Sequence, residues 1–372
     1  MKIQDMATPA ILLDMDVLER NIEKYQDLCD LYDKEMWPMV KTHKSLAIAK
    51  MQADAGATGF LCGTLDECEA LCEAGYQNLM YAYPVASAAS IRRVIELSRK
   101  CNFIIRLDTV EAAEIVDAAA KEAGIIVNYT IIVDCGLHRF GVAPDKVAEL
   151  AAKLDEFENL EPLGVSTHPG AVYAAEEPRQ VPLYVQAEAA AMEMAAEGMR
   201  QADLEPEIIS SGSTPTFALS VDDPNINIYH PGNYVFNDCI QMSNGSAKEE
   251  DCALTVLATV ISHPSPDLYI CDAGAKCLGL DQGAHGNGSI VGFGRVIGHP
   301  ELIVSGLSEE VGKLKVKEDE TTTLKVGDQI RIIPNHSCST ANLTDHFIAV
   351  RGDETEGTIR VDIRGNRCNW EI

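Results

Sequence analysis

The sequence predicts an α/β fold: a (β/α)8 barrel of the TIM type joined to a C-terminal, mostly antiparallel β domain. Three observations lead there. Between about residues 8 and 240, short apolar runs alternate with helical patterns in eight or nine near-even steps. After about residue 240 the chain turns β-rich, punctuated by Gly and Pro, with few helical patterns. Its 372 residues exceed one ordinary domain. Strands that alternate with helices make a parallel sheet, and this number of units suits a closed barrel better than an open sheet. The expected division is 8–240 for the barrel and 241–372 for the β domain.

Each step has a local reason. Residues 10–13 form a short apolar run, and 14–33 place Val17, Leu18, Ile22, Tyr25 and Cys29 on one helical face. Residues 36–40 read as a strand, and Ser45 caps a helix to about 55. A strand at 59–62 leads to Thr64, the cap of a helix ending near Gly75. The runs 78–82 and 103–107 precede helices at 86–101 and 110–124. The long β-branched run 125–133 precedes a Gly-containing loop and a helix at 144–154. Residues 163–167 precede the longest helix, about 180–202, and 207–210 end in a loop of small residues. In the second domain the β-rich runs are 253–262, 268–271, 289–297, 321–333, 347–350 and 358–363.

Composition narrows function. Asp+Glu number 57 against 30 Lys+Arg, a net charge of −27. Nucleic acid and anionic membrane both call for a basic footprint, so neither is expected as a partner. No window approaches the roughly 18 apolar residues of a spanning helix, and the first residues lack a signal-peptide pattern. The 12 cysteines show no regular spacing, which reads as reduced thiols in the cytoplasm. Cys68 and Cys72, at helical spacing, read as core packing.

In such a barrel the chemistry sits where strands end. Lys41, 134–139, 167–173 and 211–214 all fall there. Lys41-Thr-His43-Lys44 is a cationic knot in an acidic chain. A partly desolvated lysine at a strand end gives up its proton more easily and serves as a nucleophile or Schiff-base former; a solvated loop is the plain alternative. Ser211-Gly-Ser-Thr-Pro and His230-Pro-Gly-Asn-Tyr234 are turns of small residues able to cradle a phosphate, on consecutive late strands where these barrels hold one. Arg139, after the longest strand, suits an anionic ring oxygen or a carboxylate and equally a surface loop. His168, at another strand end, is an acid–base candidate. In the second domain His336 and Cys338 lie at i,i+2, a spacing that aims both side chains one way in extended chain. Imidazole and thiolate together suit Zn²⁺. By spacing alone, a structural Cys beside an exposed His is the simpler account.

Taken together, these segments resemble the fold-type III pyridoxal-phosphate enzymes of the D-serine dehydratase and D-threonine aldolase branch. The matching runs are Thr8-Pro-Ala-Ile-Leu-Leu-Asp14, Leu18-Glu-Arg-Asn-Ile22 and Val40-Lys-Thr-His-Lys44, then Gly212-Ser-Thr-Pro-Thr216 and Pro231-Gly-Asn-Tyr-Val-Phe-Asn-Asp238. Asp272-Ala-Gly-Ala-Lys276, Leu307-Ser-Glu-Glu310 and Pro334-Asn-His-Ser-Cys338 complete them, in family order over nearly the whole chain. The resemblance implies an alanine racemase-like barrel with a β domain, a homodimer, and pyridoxal 5'-phosphate as cofactor. It also implies a divalent metal, zinc first, with manganese or magnesium as alternatives. Lys41 matches the Schiff-base lysine and Arg139 the residue near the cofactor's ring oxygen. Gly212, Ser213, Thr214, Gly232 and Asn233 match the phosphate turns, with Tyr234 beside them, and Tyr173 is grouped with the cofactor set. His336 and Cys338 match the metal pair beside the substrate's β-hydroxyl. Two positions depart from the family: Met39 and Val311 stand where it usually has histidines.

The chemistry so implied is a lyase acting on D-β-hydroxy-α-amino acids, with Lys41 as base for the Cα proton. A His-x-Cys metal pair is the dehydratase form in the family, so elimination to a 2-oxo acid and ammonia is expected first. Retro-aldol cleavage to glycine and an aldehyde, with 3-hydroxy-D-aspartate among the substrates and His168 as base, is the alternative. An amino-acid racemase without a metal role is a third reading. A cofactor carrier without catalysis is a fourth, against which the second domain argues.

Overall fold

The computed structural model describes residues 1–285, 288 and 290–364. Eight parallel strands form one sheet: Glu35–Met36, Phe60–Cys62, Asn78–Tyr81, Asn102–Leu107, Val127–Val133, Leu160–Thr167, Ile208–Ser211 and Ile228–Tyr229. The ladder runs through every neighbouring pair. A parallel bridge from Met39 to Leu61 joins its two ends, so the sheet closes as the expected barrel. Trp37, Met39, Leu61, Met80, Ala82 and Ile104 pack together in its interior. Strands of such a barrel are covered on both faces, which is why Tyr129–Val133 is buried throughout rather than at alternate residues.

The helices begin where capping residues stand. Thr64, Ser87 and Thr109 each accept a hydrogen bond from the backbone N–H three residues on. Gly124 ends the helix Val110–Ala123 in the left-handed conformation that glycine adopts without cost. Ser45 occupies the cap position of Leu46–Ala55, as expected, but its hydroxyl makes no capping bond.

One barrel member differs from the expectation. The first apolar run, Ala10–Asp14, does not join the parallel sheet. It pairs antiparallel with Leu254–Ser265 and parallel with His346–Arg351. The eighth barrel strand is instead Ile228–Tyr229, only two residues long. A short apolar run followed by a helix looks the same in either sheet, and two residues carry no periodicity at all. The run 36–40 is also shorter as strand than expected, because Pro38 has no N–H for the ladder; Leu61 N–H still bonds the Pro38 carbonyl at 3.1 Å.

The second sheet is nine-stranded and mostly antiparallel. Leu254–Ser265 runs through it, flanked by Ala10–Asp14, Leu268–Cys271 and Gln329–Ile333. The hairpin of Leu302–Leu307 with Gly312–Val316 was not expected, although Gly312–Val316 alternates buried and exposed residues cleanly. The run expected at 289–297 begins at Ser289, which lies outside the described residues, and only Arg295–Val296 is strand. Of 321–333 only Gln329–Ile333 is strand. The last residues assigned to this domain, 365–372, also lie outside the described ones. By compactness the described chain divides into two units, one of 1–23, 173–178 and 233–362, the other of 24–172, 179–232 and 363–364.

Candidate active site

The cationic knot separates into three different roles. His43 is fully buried, and its Nδ1 accepts from the Ser45 N–H at 3.1 Å. Burial lowers its pKa to about 3, so it is a neutral, structural imidazole. Lys44 lies 3.7 Å from the buried Glu67 carboxylate, whose other oxygen takes the Gly63 N–H at 2.6 Å. Burial raises the Glu67 pKa, opposed by Gly63, Lys44, Thr64 and Lys41. That leaves Lys41, half-buried in the short turn Val40–Thr42 at the strand end. Gly63 runs alongside it: a Cβ there would come within 2.9 Å of the Lys41 Cβ.

Two histidines and a missed arginine line the same unit. His168 donates through Nδ1 to the Gly212 carbonyl at 3.1 Å. A carbonyl only accepts, so the Nε2 of neutral His168 carries the lone pair a base needs. Gly170 keeps room there, because a Cβ would approach Nε2 to 3.0 Å. Arg106, on the strand Asn102–Leu107, is 2% exposed, and its Nη2 donates to Nε2 of His230 at 3.1 Å. Its Nε donates to the sulfur of Met80 at 3.3 Å, a weak acceptor. Burial lowers the guanidinium to about 9 and pushes His230 well below its ordinary range. The signal was in the sequence: Asn-Phe-Ile-Ile-Arg-Leu puts a charge inside a strand otherwise apolar.

Arg139 is exposed, its guanidinium 4.4 Å from the Phe140 ring centre and 5.8 Å from that of Tyr83. Its loop is organised by Asp134, which accepts from the N–H groups of Gly136 and His138 and pairs with the His138 ring at 2.8 Å. The two glycine turns are closely fitted. A Cβ on Gly212 would meet the His230 nitrogen at 2.6 Å, and one on Gly232 would meet Thr42 Oγ1 at 3.0 Å. Ser213 and Thr214 are buried in the turn after Ile208–Ser211.

The other predicted residues fall in the unit of 1–23, 173–178 and 233–362. His336 is the extended cap residue of the short helix Ser337–Asn342, so Cys338 is helical, not extended as its spacing implied. The two side chains still meet, the thiol hydrogen-bonded to the imidazole. Burial opposes the His336 charge, but Cys338, Asp238 and Asp281 outweigh it and push the group up to about 9. Asp238, fully buried, is the hub. It accepts from Asn233 Nδ2 at 2.7 Å, Ser337 N at 2.9 Å and Gln241 N at 3.0 Å, and lies 3.7 Å from His336 Nδ1. Asn233 also reaches Ser337 Oγ at 3.1 Å and Cys338 Sγ at 3.5 Å. Tyr234 is buried. Tyr173 bonds Gln241 at 3.4 Å and packs against His285.

The chemistry of these residues suits the groups the resemblance implies. A buried guanidinium without a carboxylate partner among its described bonds calls for an electron-rich ligand. His336 Nδ1, buried and without a hydrogen-bond partner among the described residues, stands beside a thiol, a nitrogen–sulfur donor set typical of borderline metals. Among the described residues no cluster of three or more His, Cys, Asp or Glu could hold a metal, so two protein ligands leave positions open for water or substrate.

Residues 13–238 match the alanine racemase N-terminal domain, and 253–350 the putative serine dehydratase domain. The chain belongs to the family that joins these two domains. It is 32% identical to a D-threo-3-hydroxyaspartate dehydratase of Delftia sp., over 93% of this chain and 94% of that one. A 3-hydroxy-D-aspartate aldolase of Paracoccus denitrificans is 28% identical over 97% and 93%. A solved structure of a D-threo-3-hydroxyaspartate dehydratase variant superposes with a TM-score of 0.89 at 29% identity, covering 97% of this chain and 99% of that one. That structure is a metal-free form, so a metal belongs to that enzyme. Dehydratases and aldolases are both lyases, and the chain is an enzyme of that class. The racemase alternative finds no support in these relatives. No described helix is long and apolar enough to cross a membrane.

Proposed function

We propose that the protein is a pyridoxal-phosphate- and metal-dependent dehydratase of D-β-hydroxy-α-amino acids of the D-serine and D-threonine type. The observation that carries the dehydratase reading is the contact of the His336 imidazole with the Cys338 thiol. A thiolate and an imidazole hold a zinc-like ion, with manganese or magnesium as weaker alternatives for such soft ligands. That ion, when bound, polarises the β-hydroxyl as a Lewis acid. The cofactor, when bound, serves as the electron sink for charge developing at Cα. Lys41 would hold the cofactor covalently through Nζ and, once the substrate's amine has displaced it, the freed Nζ would take the Cα proton. Gly212, Ser213, Thr214, Gly232 and Asn233 hold its phosphate, with Tyr234 and Tyr173 beside them, and Arg139 faces its ring oxygen. In this reading the segment 8–240 carries the cofactor and the segment 241–372 the metal. The family resemblance supports a homodimer, and the cysteines read as reduced thiols support the cytoplasm.

The second reading is aldol cleavage to glycine and an aldehyde. His168 favours it, because its Nε2 lone pair suits a base for the β-hydroxyl. The aldolase relative supports it too.

Metal-replete protein incubated with D-serine, D-threonine and 3-hydroxy-D-aspartate decides between them. Release of 2-oxo acid and ammonia supports the dehydratase, and release of glycine the aldolase. Lys41→Ala is expected to lose both turnover and the visible absorbance of bound cofactor. An active Lys41→Ala enzyme would sink both readings.

A further inference from the structure

Beneath the turn 211–216 lies a carboxyl group that the proposed chemistry does not use. Glu188, on the long helix Val181–Gln201, is fully buried. Ser211 Oγ donates to its Oε1 at 2.5 Å, and the Thr216 hydroxyl is near enough to favour the charged carboxylate, against burial. Thr216 Oγ1 lies 3.1 Å from Ser213 Oγ. The Ser211 hydroxyl therefore ties this side chain directly to the residue before Gly212, and Thr216, bonded to Ser213, flanks it on the other side. Oε2 of Glu188 is buried and has no hydrogen-bond partner among the described residues.

The charged and titratable groups that face it are Asp223, the Tyr229 phenol and the Cys135 thiol. None of them is a cation. A carboxylate enclosed this way is costly, and a second anion close by makes it costlier.

We propose that Glu188 is a positioning residue for the phosphate turn, and that its carboxyl group must be uncharged while the turn holds a phosphate dianion. The inference rests on the assignment of 212–214 to the cofactor's phosphate. Burial raises the group to about 7, so the requirement falls inside the working range. Its consequence is linkage: above neutrality, phosphate binding takes up a proton at Glu188.

The test compares pyridoxal 5'-phosphate with pyridoxal, which lacks the phosphate, as ligands of the full-length chain stripped of cofactor. Their affinity ratio cancels the titration of the lysine that both aldehydes engage. After correction for the phosphate's own ionisation, the wild-type ratio is expected to fall roughly tenfold between pH 7 and pH 8.5. In Glu188→Gln, which is neutral at every pH and nearly the same shape, the ratio is expected to stay flat. Calorimetry of the wild type in buffers of different ionisation enthalpy supplies a second readout, proton uptake on binding the phosphate ligand alone, and needs no variant. A flat wild-type ratio without proton uptake overturns the proposal, as does an unchanged slope in Glu188→Gln. Equal affinity for the two ligands at all pH values overturns the phosphate assignment itself, and this proposal with it.

Discussion

Nη2 of Arg106 lies 3.1 Å from Nε2 of His230, in a buried setting where burial keeps the imidazole neutral. The imidazole therefore accepts, and the guanidinium keeps its full charge with no carboxylate among its described bonds. Such a charge is normally replaced by apolar packing at little loss, because desolvation offsets what it gains. A buried charge without a carboxylate among its described bonds suits an electron-rich ligand. Arg106→Met is expected to change the stability of the cofactor-free protein by less than about 2 kcal/mol. Cofactor affinity is expected to fall about tenfold or more, the loss of a charge-assisted hydrogen bond. Equal affinity in wild type and variant, measured by titrating absorbance, would show that the guanidinium serves the barrel alone.

Gly212 is constrained by contact rather than by its backbone angles. A Cβ would stand 2.6 Å from the His230 nitrogen and 2.9 Å from the Pro231 nitrogen. Those are backbone atoms, so the turn itself has to move. Gly212→Ala is expected to cost about 1–3 kcal/mol in stability and to raise the cofactor dissociation constant. Thermal unfolding with and without cofactor separates the two effects: the gap between the curves should shrink in the variant.

Asp238 stands behind the proposed metal pair, 3.7 Å from His336 and bonded to Asn233 and Ser337. Carboxylates that orient a metal-bound histidine commonly account for about 10–100-fold in metal affinity. Asp238→Asn keeps the shape and removes the charge. It is expected to release metal to a chelator at a correspondingly lower concentration. Unaltered metal retention would mean that Asp238 only shapes the loop.

The barrel was legible because its units repeat. Eight apolar runs alternating with helices leave few other architectures, and Lys41 then falls at a strand end. What the pattern did not contain was partnership. Residues 10–13 carried the same signal as a barrel strand, and only pairing with Val256 and Ile348, far along the chain, assigns Ala10–Asp14 elsewhere. The candidate residues divide in the same way. Lys41, His336 and Cys338 are marked by residue type and spacing. The roles of Asp238 and Arg106 depend on neighbours distant in sequence, although a charge inside an apolar strand was visible from the start.

His43 sets an acid limit on stability. Its pKa is lowered from 6.5 to about 3 in the folded protein. The unfolded chain therefore binds a proton first as pH falls. This contribution is fully present above about 6.5 and is lost progressively toward pH 3, at about 1.4 kcal/mol per unit. Gln in place of His43 keeps an acceptor for the Ser45 N–H and does not titrate. Between pH 7 and pH 5, His43→Gln is expected to lose roughly 2 kcal/mol less stability than wild type in urea unfolding. Buried His230 acts in the same direction, so the remaining slope stays above zero. Parallel pH profiles would contradict the assignment.

Met39 lies two residues before Lys41, where the resemblance implies a histidine, and its surroundings explain why such an exchange is not neutral here. Its side chain packs with Trp37, Leu61, Met80, Ala82 and Ile104 inside the barrel, 8% exposed. An imidazole put there has to find hydrogen-bond partners among apolar side chains or leave its ring nitrogens unsatisfied, at about 1–3 kcal/mol. Met39→His is therefore expected to destabilise the protein by that amount, more at low pH, where the unfolded chain would bind an extra proton. If the variant is as stable as wild type and its new imidazole titrates normally by NMR, the side chain has turned out of the apolar cluster. Position 39 would then be open to a polar group beside Lys41. A destabilised variant with an imidazole that stays neutral well below its ordinary range would instead fix Met39 as part of the barrel's packing.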